Sequence, residues 1–241
     1  SKTQYTLSYN TNNYDSFGKK SFYGIGKGQV WRNITRDLGI DLIKSYSISN
    51  RKIKGLQSLK NLEVVKITFN GKAIVDDVMI LSNAHESQFM SAAKWLIHNQ
   101  DESGGWPIKV TRKLSNGALI LHPGWYSAMG QGQAISLLTR MYHITQDRIY
   151  LDAAIKALSL FNIDSSEGGI RTYFTNTFVW YEEYPTTPSS FVLNGFIYSL
   201  FGLYDLKMSC AKECEEASKL FEEGFNSLKQ LLPLFDTGSG T

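Results

Sequence analysis

The chain has 241 residues, 42% of them hydrophobic and 13% aromatic, with a formal net charge of +3. That composition excludes a disordered chain and leaves room for one large domain or two modest ones. The longest apolar run, Phe191 to Leu206, is interrupted by Asn194 and too short to span a bilayer.

Residues 1–84 read as strands. Tyr5 to Tyr9 alternates apolar and polar residues, as does Val65 to Phe69 before the turn Asn70-Gly71. The glycine-rich stretch Tyr23 to Gly28 leads into another strand-like run, not a helix. It is therefore expected to form a bend or bulge, not a phosphate cradle. Asn33-Ile34-Thr35 is a glycosylation sequon, relevant only in a secreted chain. The basic residues Arg51, Lys52, Lys54, Lys60, Lys66 and Lys72 suit either a polyanionic partner or a solvated face, as do Lys109, Arg112 and Lys113. This part resembles the tail of an antiparallel sheet without its earlier strands.

After Asn83 the hydrophobic period becomes helical. Phe89, Ala92, Ala93 and Leu96 share one face, as do Leu151, Ala154, Ile155, Leu158 and Phe161, with Asp147 placed to cap the latter helix. Phe191 to Leu206 is apolar nearly all round and is expected to be buried on both sides. A last helix over about 211–232 is amphipathic. Cys210 and Cys214 are read as free or structural thiols, because cysteines four apart in one helix pair poorly. His85, His98, His122 and His143 show no zinc spacing.

A repeat connects these helices. Gln100 to Trp106 carries Asp-Glu-Ser-Gly-Gly, Ser165 to Ile170 carries Ser-Ser-Glu-Gly-Gly, and Asp236 to Gly240 gives a third marker. Two helices lie between successive markers. The period fits helical hairpins wound into an α/α toroid with its loops gathered at one end, set against an irregular helical bundle. The chain therefore reads as α+β and multidomain, with a partial antiparallel β-sandwich over 1–84 and an incomplete α/α toroid over 85–241. It has the look of a fragment of a larger protein.

The densest chemical signal is Trp180 to Ser190, where three aromatics and two carboxylates precede a proline-rich entry to a helix. A tyrosine beside a glutamate can carry a proton if its pKa moves from the usual ~10. A packed aromatic corner accounts equally well for the same residues. Trp106, Trp125 and Tyr126 are open to two readings, sugar-stacking rings or pins between repeats, with the second favoured for Trp106.

Several blocks carry a resemblance to a known family. They are Tyr23-Gly24-Ile25-Gly26, Thr35-Arg36-Asp37-Leu38, Asn99-Gln100-Asp101, Gly104-Gly105-Trp106, Val110 to Leu114, Pro123 to Met129, Gln131 to Ser136, the stretch Trp180 to Ser190, Phe191 to Phe196, and Leu232 to Thr241. In this order they resemble the heparosan-N-sulfate-glucuronate C5-epimerases, the D-glucuronyl C5-epimerase family. The resemblance implies a β-sandwich followed by an α/α toroid. It also implies a Golgi-lumenal isomerase of heparan sulfate and heparin biosynthesis, with its membrane anchor outside this fragment. The substrate is N-sulfated heparosan, with no nucleic acid partner and a homodimer when full length.

By the same resemblance Tyr184 and Glu183 are catalytic. Lys113, Leu114, Ser115, Asn116, Asn194 and Tyr198 contact substrate, although Ser115 and Asn116 depart from the family's usual letters. Asp76 is one ligand of a structural calcium whose other ligands lie upstream of residue 1, and no cofactor serves catalysis. The family pattern places two further active-site tyrosines beyond Thr241, in a C-terminal catalytic segment that the fragment lacks.

C5 epimerisation removes a proton alpha to a carboxylate and returns one to the opposite face. It needs a base, an acid, and cations or donors for the enediolate. Arg112 and Lys113 are the cationic candidates, and Arg112 can equally serve a structural ion pair. Asn194 either satisfies a backbone group or points at a sugar, and Tyr198 shares its face. The competing readings are a polysaccharide lyase, which begins with the same proton abstraction, and an inactive heparin-binding fragment.

Overall fold

The computed structural model describes residues 4–12, 14–15, 22–27, 31–50, 63–72, 74–210, 212–236 and 238. The chain divides into two compact units, Ser1–Gln88 and Phe89–Thr241.

In the first unit, β1 (Ser8–Asn10) pairs with β2 (Phe22–Gly24), and helix α1 covers Leu38–Asn50. The pairing is parallel, not antiparallel as expected. The local core is polar at its centre. Asp41 is 3% exposed, and its carboxylate accepts Tyr9 Oη at 2.7 Å and a bidentate Arg36 guanidinium at 2.8 and 2.6 Å. Tyr23 is equally buried and donates to the Asp41 carbonyl. Pairing of this kind is what allows a carboxylate to leave water. Burial, and then the Asp41 carboxylate, hold the Tyr9 phenol well above its ordinary range.

Two expectations for this unit change, and a third falls mostly outside the described residues. Val65 to Phe69 is no strand: the segment pairs with nothing among the described residues, and both of its alternating faces are exposed. Helix α1 was not anticipated, because its apolar residues follow no clear helical stripe. Of the first basic group, Arg51, Lys52, Lys54 and Lys60 lie outside the described residues, while Lys66 and Lys72 are exposed.

The second unit is mainly helical. Helix α2 (Ala84–Asn99) is followed by the antiparallel pair β3 (Arg112–Leu114) and β4 (Leu119–Leu121), then α3 (Ala128–Thr145), α4 (Arg148–Lys156) and the single turn α5 (Ser159–Asn162). The hairpin β5 (Arg171–Phe174) and β6 (Phe178–Tyr181) comes next, then α6 (Leu193–Ser209) and α7 (Glu215–Leu231). Helix α3 packs along α6, and each also packs on its successor, giving two hairpins side by side. Asp147 caps α4 by accepting the Ile149 N–H, as its position predicts.

The α3–α6 contact is backbone to backbone. A Cβ on Gly132 would lie 2.5 Å from the Ser199 Cα, and one on Gly202 would strike the Gly132 backbone. Around this crossing Ile135, Leu138, Leu151, Leu160, Phe161, Phe196, Leu203 and Leu206 are almost fully buried. Trp180 lies flat on Phe196 at 3.9 Å between ring centroids.

The Gly-Gly markers play the same part twice. Gly104 and Gly168 both adopt left-handed backbone, at φ +86° and +91°. Gly105 and Gly169 are the close-approach partners: a Cβ would strike Leu160 and Tyr126 at the first, and the Ile163 backbone at the second.

Two predictions about α6 and its end are corrected. Helix α6 is buried on one side only, because Tyr198, Phe201, Tyr204 and Met208 are exposed. Cys210 and Cys214 are joined as a disulfide, with Cα atoms 5.3 Å apart. Helix α6 stops at Ser209 and α7 starts at Glu215, so the four-residue spacing spans a helix break instead of one continuous helix.

Replacing Gly202 with Ala should destabilise the protein by about 1–3 kcal/mol or more, since no flexible side chain is available to yield. Gly130 in the same α3 helix has only the Ser127 Cβ nearby, at 3.7 Å. Its replacement by Ala should stabilise by up to about 1 kcal/mol. Denaturant midpoints of the two variants test the pair.

Candidate active site

Strand β6 carries the densest chemical segment into the interior. Beyond Tyr181 the pairing continues, with the Glu182 N–H donating to the Ile170 carbonyl at 2.7 Å. The Glu182 carbonyl accepts the Ala128 N–H at 2.8 Å, which fixes the strand end to the start of α3. Trp180, Tyr181, Glu182 and Glu183 are consecutively buried, a pattern that strands enclosed on both faces show.

Two carboxyl groups therefore enter the interior side by side. Glu182 is fully buried; its Oε1 accepts the Phe191 N–H at 3.3 Å and its Oε2 contacts the Ser190 hydroxyl at 2.9 Å. Burial pushes its carboxyl above the usual carboxylate range, opposed by those hydrogen bonds. Glu183 is 7% exposed, and its Oε2 has no hydrogen-bond partner among the described residues. Its side chain lies against Gly195 in the first turn of α6, in space that a Cβ at 195 would fill.

Tyr184 is half-buried at the start of the loop into α6. Its ring centroid lies 5.8 Å from that of Trp125, and the Arg112 guanidinium sits over it at 5.5 Å. Partial burial, and then the Glu183 carboxylate, raise the phenol pKa, while Arg112 opposes them. No acidic side chain is paired with Arg112 among the described residues. A phenol thus has a buried carboxyl group on one side and, on the other, a cation with no acidic partner among the described residues.

The remaining predicted residues fall into separate groups. Lys113 and Leu114 end β3, and Ser115 and Asn116 form the tight turn to β4, both with positive φ. Strand alternation places Arg112 and Leu114 on one face and Lys113 on the other, so Arg112 is the cation delivered to Tyr184. Asn194 and Tyr198 are exposed one turn apart on α6. Tyr198 borders an open groove of about 560 Å³ shared with Gln133, Arg140, Phe201 and Asp205.

Trp106 and Tyr126 are structural. The Trp106 indole donates to the Leu96 carbonyl at 2.8 Å, and Tyr126 Oη donates to Asp101. Sequence reasoning assigned no role to Glu182 or Gly195, whose contacts cross from strand to loop and from strand to helix.

Asp76 is exposed and accepts the Asp77 N–H at 2.9 Å, and no group of three metal-ligating side chains occurs among the described residues. A calcium ion takes about six to eight oxygens. Asp76 supplies at most two of these, and the expected site draws the others from upstream of residue 1.

Comparison with known proteins gives a consistent picture. The family profile described as D-glucuronyl C5-epimerase C-terminus matches residues 100–241, and the profile described as D-glucuronyl C5-epimerase, beta-sandwich domain, matches residues 1–72. The chain is 43% identical to a D-glucuronyl C5-epimerase of Caenorhabditis elegans, over 92% of its own length and 38% of that protein's. It is 32% identical to an uncharacterized protein of Methanocaldococcus jannaschii, over 49% of this chain and 39% of the other. The chain thus spans under two-fifths of the length of either relative.

The contacts around Tyr184 have opposite electrostatic signs, so the variants should separate them. Arg112→Ala should raise the Tyr184 pKa and Glu183→Gln should lower it. Tyrosinate absorbance during alkaline titration, referenced to Tyr184→Phe, measures both. Gly195→Ala should perturb the same titration by displacing Glu183, although residue 195 never touches the phenol.

Proposed function

This chain belongs to the D-glucuronyl C5-epimerase family, and we propose that Tyr184, Glu183 and Arg112 make up one face of a site that inverts C5 of glucuronate to iduronate in N-sulfated heparosan. The observation that carries this reading is the convergence of the Tyr184 phenol, the unpartnered Glu183 oxygen and the Arg112 guanidinium. Each supplies a requirement of the chemistry. The C5 proton is weakly acidic because its removal adds charge to a group that is already anionic. A cation close to the proton carrier lowers that barrier by stabilising the enediolate. Arg112 stands where it can receive the substrate carboxylate, and its planar fork suits bidentate binding.

Tyr184 is then a proton carrier on one face of the sugar, with Glu183 as the group that orients it or takes the proton from it. A second carrier on the opposite face completes an inversion. Trp125 offers an aromatic face beside Tyr184 for a pyranose ring. Lys113, Leu114, Ser115 and Asn116 at the β3–β4 turn, and Asn194 and Tyr198 on α6, contact the flanking sugars and sulfates. The two side-by-side helical hairpins belong to an α/α toroid whose centre holds the chain.

A Golgi-lumenal location goes with this reading. The Cys210–Cys214 disulfide suits an oxidising secretory compartment. No helix among the described residues is long and apolar enough to cross a membrane. A homodimer is part of the same proposal for the full-length protein.

Incubation with N-sulfated heparosan in deuterated water tests the reaction, with the chain and a full-length protein containing it assayed in parallel. The expected outcome is deuterium at C5 together with iduronate. An unsaturated, ultraviolet-absorbing product would instead mark a lyase, and salt-sensitive binding without exchange a heparin-binding module. Tyr184→Phe should lower exchange by about 10²–10⁴-fold. Retained exchange would remove Tyr184 from the mechanism.

A further inference from the structure

Glu182 has no role in the reaction above, yet it is the most completely buried carboxyl group around the site. No cation is paired with it among the described residues. Its backbone is tied to Ile170 and Ala128, and its side chain meets Ser190 and Phe191. The first turn of α3 (Ala128–Gln131) and the first turn of α6 (Leu193–Phe196) carry no ionisable side chain. On α7, Glu223 is already paired with Arg171 at 2.8 Å. Arg112 of the β3–β4 hairpin is placed over Tyr184. The titratable neighbours on the same segment are Tyr181, Glu183 and Tyr184.

Counting hydrogens sets the protonation state. The Ser190 Oγ lies 2.9 Å from Glu182 Oε2 and 2.9 Å from the Tyr184 carbonyl oxygen. A serine hydroxyl has one hydrogen, and a carbonyl can only accept. With Glu182 as a carboxylate, one hydrogen would have to serve two acceptors. With a proton on Glu182 Oε2, each of these three contacts has its own hydrogen; Ser189 and the Ser190 N–H also face the carboxyl and favour its charged form, and burial is the larger influence. Glu182 then donates to Ser190, Ser190 donates to the Tyr184 carbonyl, and the Phe191 N–H donates to Glu182 Oε1.

We propose that Glu182 is a neutral carboxylic acid that fixes the Tyr184 backbone through Ser190, making it a positioning residue of the site. The upward push of burial on its carboxyl agrees with the hydrogen count. The clamp bridges the two ends of the Tyr184 loop, from strand end to helix entry, where Thr186 N–H also donates to the Tyr184 carbonyl at 2.8 Å. That the clamp serves catalysis rests on the proton-transfer reading of Tyr184; the protonation state of Glu182 does not.

Glutamine is the discriminating substitution, because its amide donates and accepts at the same two positions as the neutral acid. In the wild-type chain labelled with ¹³C-carboxyl glutamate, the signal lost in Glu182→Gln should stay that of a neutral acid through the range where ordinary glutamates ionise. Exchange of the Phe191 amide should be unchanged in Glu182→Gln and roughly tenfold or more faster in Glu182→Leu.

The stability arm has a definite sign. A folded-state pKa above the unfolded ~4.3 means that wild-type stability falls as pH rises from that value through the folded titration. The melting temperature of Glu182→Gln relative to wild type should therefore climb over that window. Ordinary titration of Glu182, a flat difference, or Gln behaving like Leu would each overturn the proposal.

In the full-length protein, Glu182→Gln should retain C5 exchange and lack whatever high-pH loss of kcat comes from ionisation of Glu182. Neutral-acid spectra without exchange activity would defeat the epimerase reading and leave the clamp standing. Exchange activity with an ordinary Glu182 would do the reverse.

Discussion

Helix α6 is seated by glycines, and the rest of the second unit takes its spacing from them. Gly202 meets Gly132 across the α3 crossing, Gly195 meets Glu183 at the strand end, and Gly224 of α7 meets Leu200, Tyr181 and Phe196. At Gly202 and Gly195 no Cβ fits, and at Gly224 one would have to displace the end of Leu200, so each holds two elements at the distance of backbone against backbone or backbone against side chain. Interiors pack to crystal density and yield little. A shift of α6 would therefore be felt at once by α3, by the buried aromatic stack on Trp180, and by the carboxyl group beside Tyr184. Packing and chemistry share one constraint here: the helix that closes the core is also the wall against which Glu183 lies.

The buried carboxyl groups are accommodated in different ways, and the difference separates structure from chemistry. Asp41 is matched by a bidentate arginine and a phenol, which leaves it little capacity for a ligand. Glu182 has neutral partners that fit a protonated acid. Glu183 retains one oxygen with no partner among the described residues. An unsatisfied buried oxygen is destabilising by roughly 1–3 kcal/mol, and such a cost usually persists where function requires the group. The contrast singles out Glu183 among three carboxyl groups of similar burial.

Legibility of this fold in the sequence followed the range of the interactions involved. The amphipathic helix α7, the Asp147 cap and the twin Gly-Gly turns depend on neighbours within a few residues, and periodicity exposed them. The strand expected at Val65 to Phe69 alternates well but has no pairing partner among the described residues, and alternation without a partner does not make a strand. Helix α6 looked buried all round because its composition is apolar, whereas its exposed face depends on which elements happen to pack there. Cys210 and Cys214 pair for a local reason: α7 starts at Glu215, about four residues later than the periodicity predicts, so Cys214 precedes that helix instead of lying inside it.

The site itself was legible in its letters and not in its geometry. Tyr184 and Glu183 stand out as a polar pair within an aromatic run, but their partners come from elsewhere. Arg112 arrives from the β3–β4 hairpin, Gly195 from α6, and the tie through Ala128 from α3. Strand parity then decides between two adjacent cations, sending Arg112 to Tyr184 and turning Lys113 away. The repeat markers contribute to the same assembly: Gly105 packs on Leu160, whose carbonyl accepts the Ile170 N–H, and Ile170 in turn accepts from Glu182. A line of contacts, to a side chain at Gly105–Leu160 and backbone to backbone from there, thus runs from the first marker through the second to the strand end bearing the carboxyl pair. The glycines that make the repeat visible in sequence therefore also set the depth at which Tyr184 emerges beside Arg112.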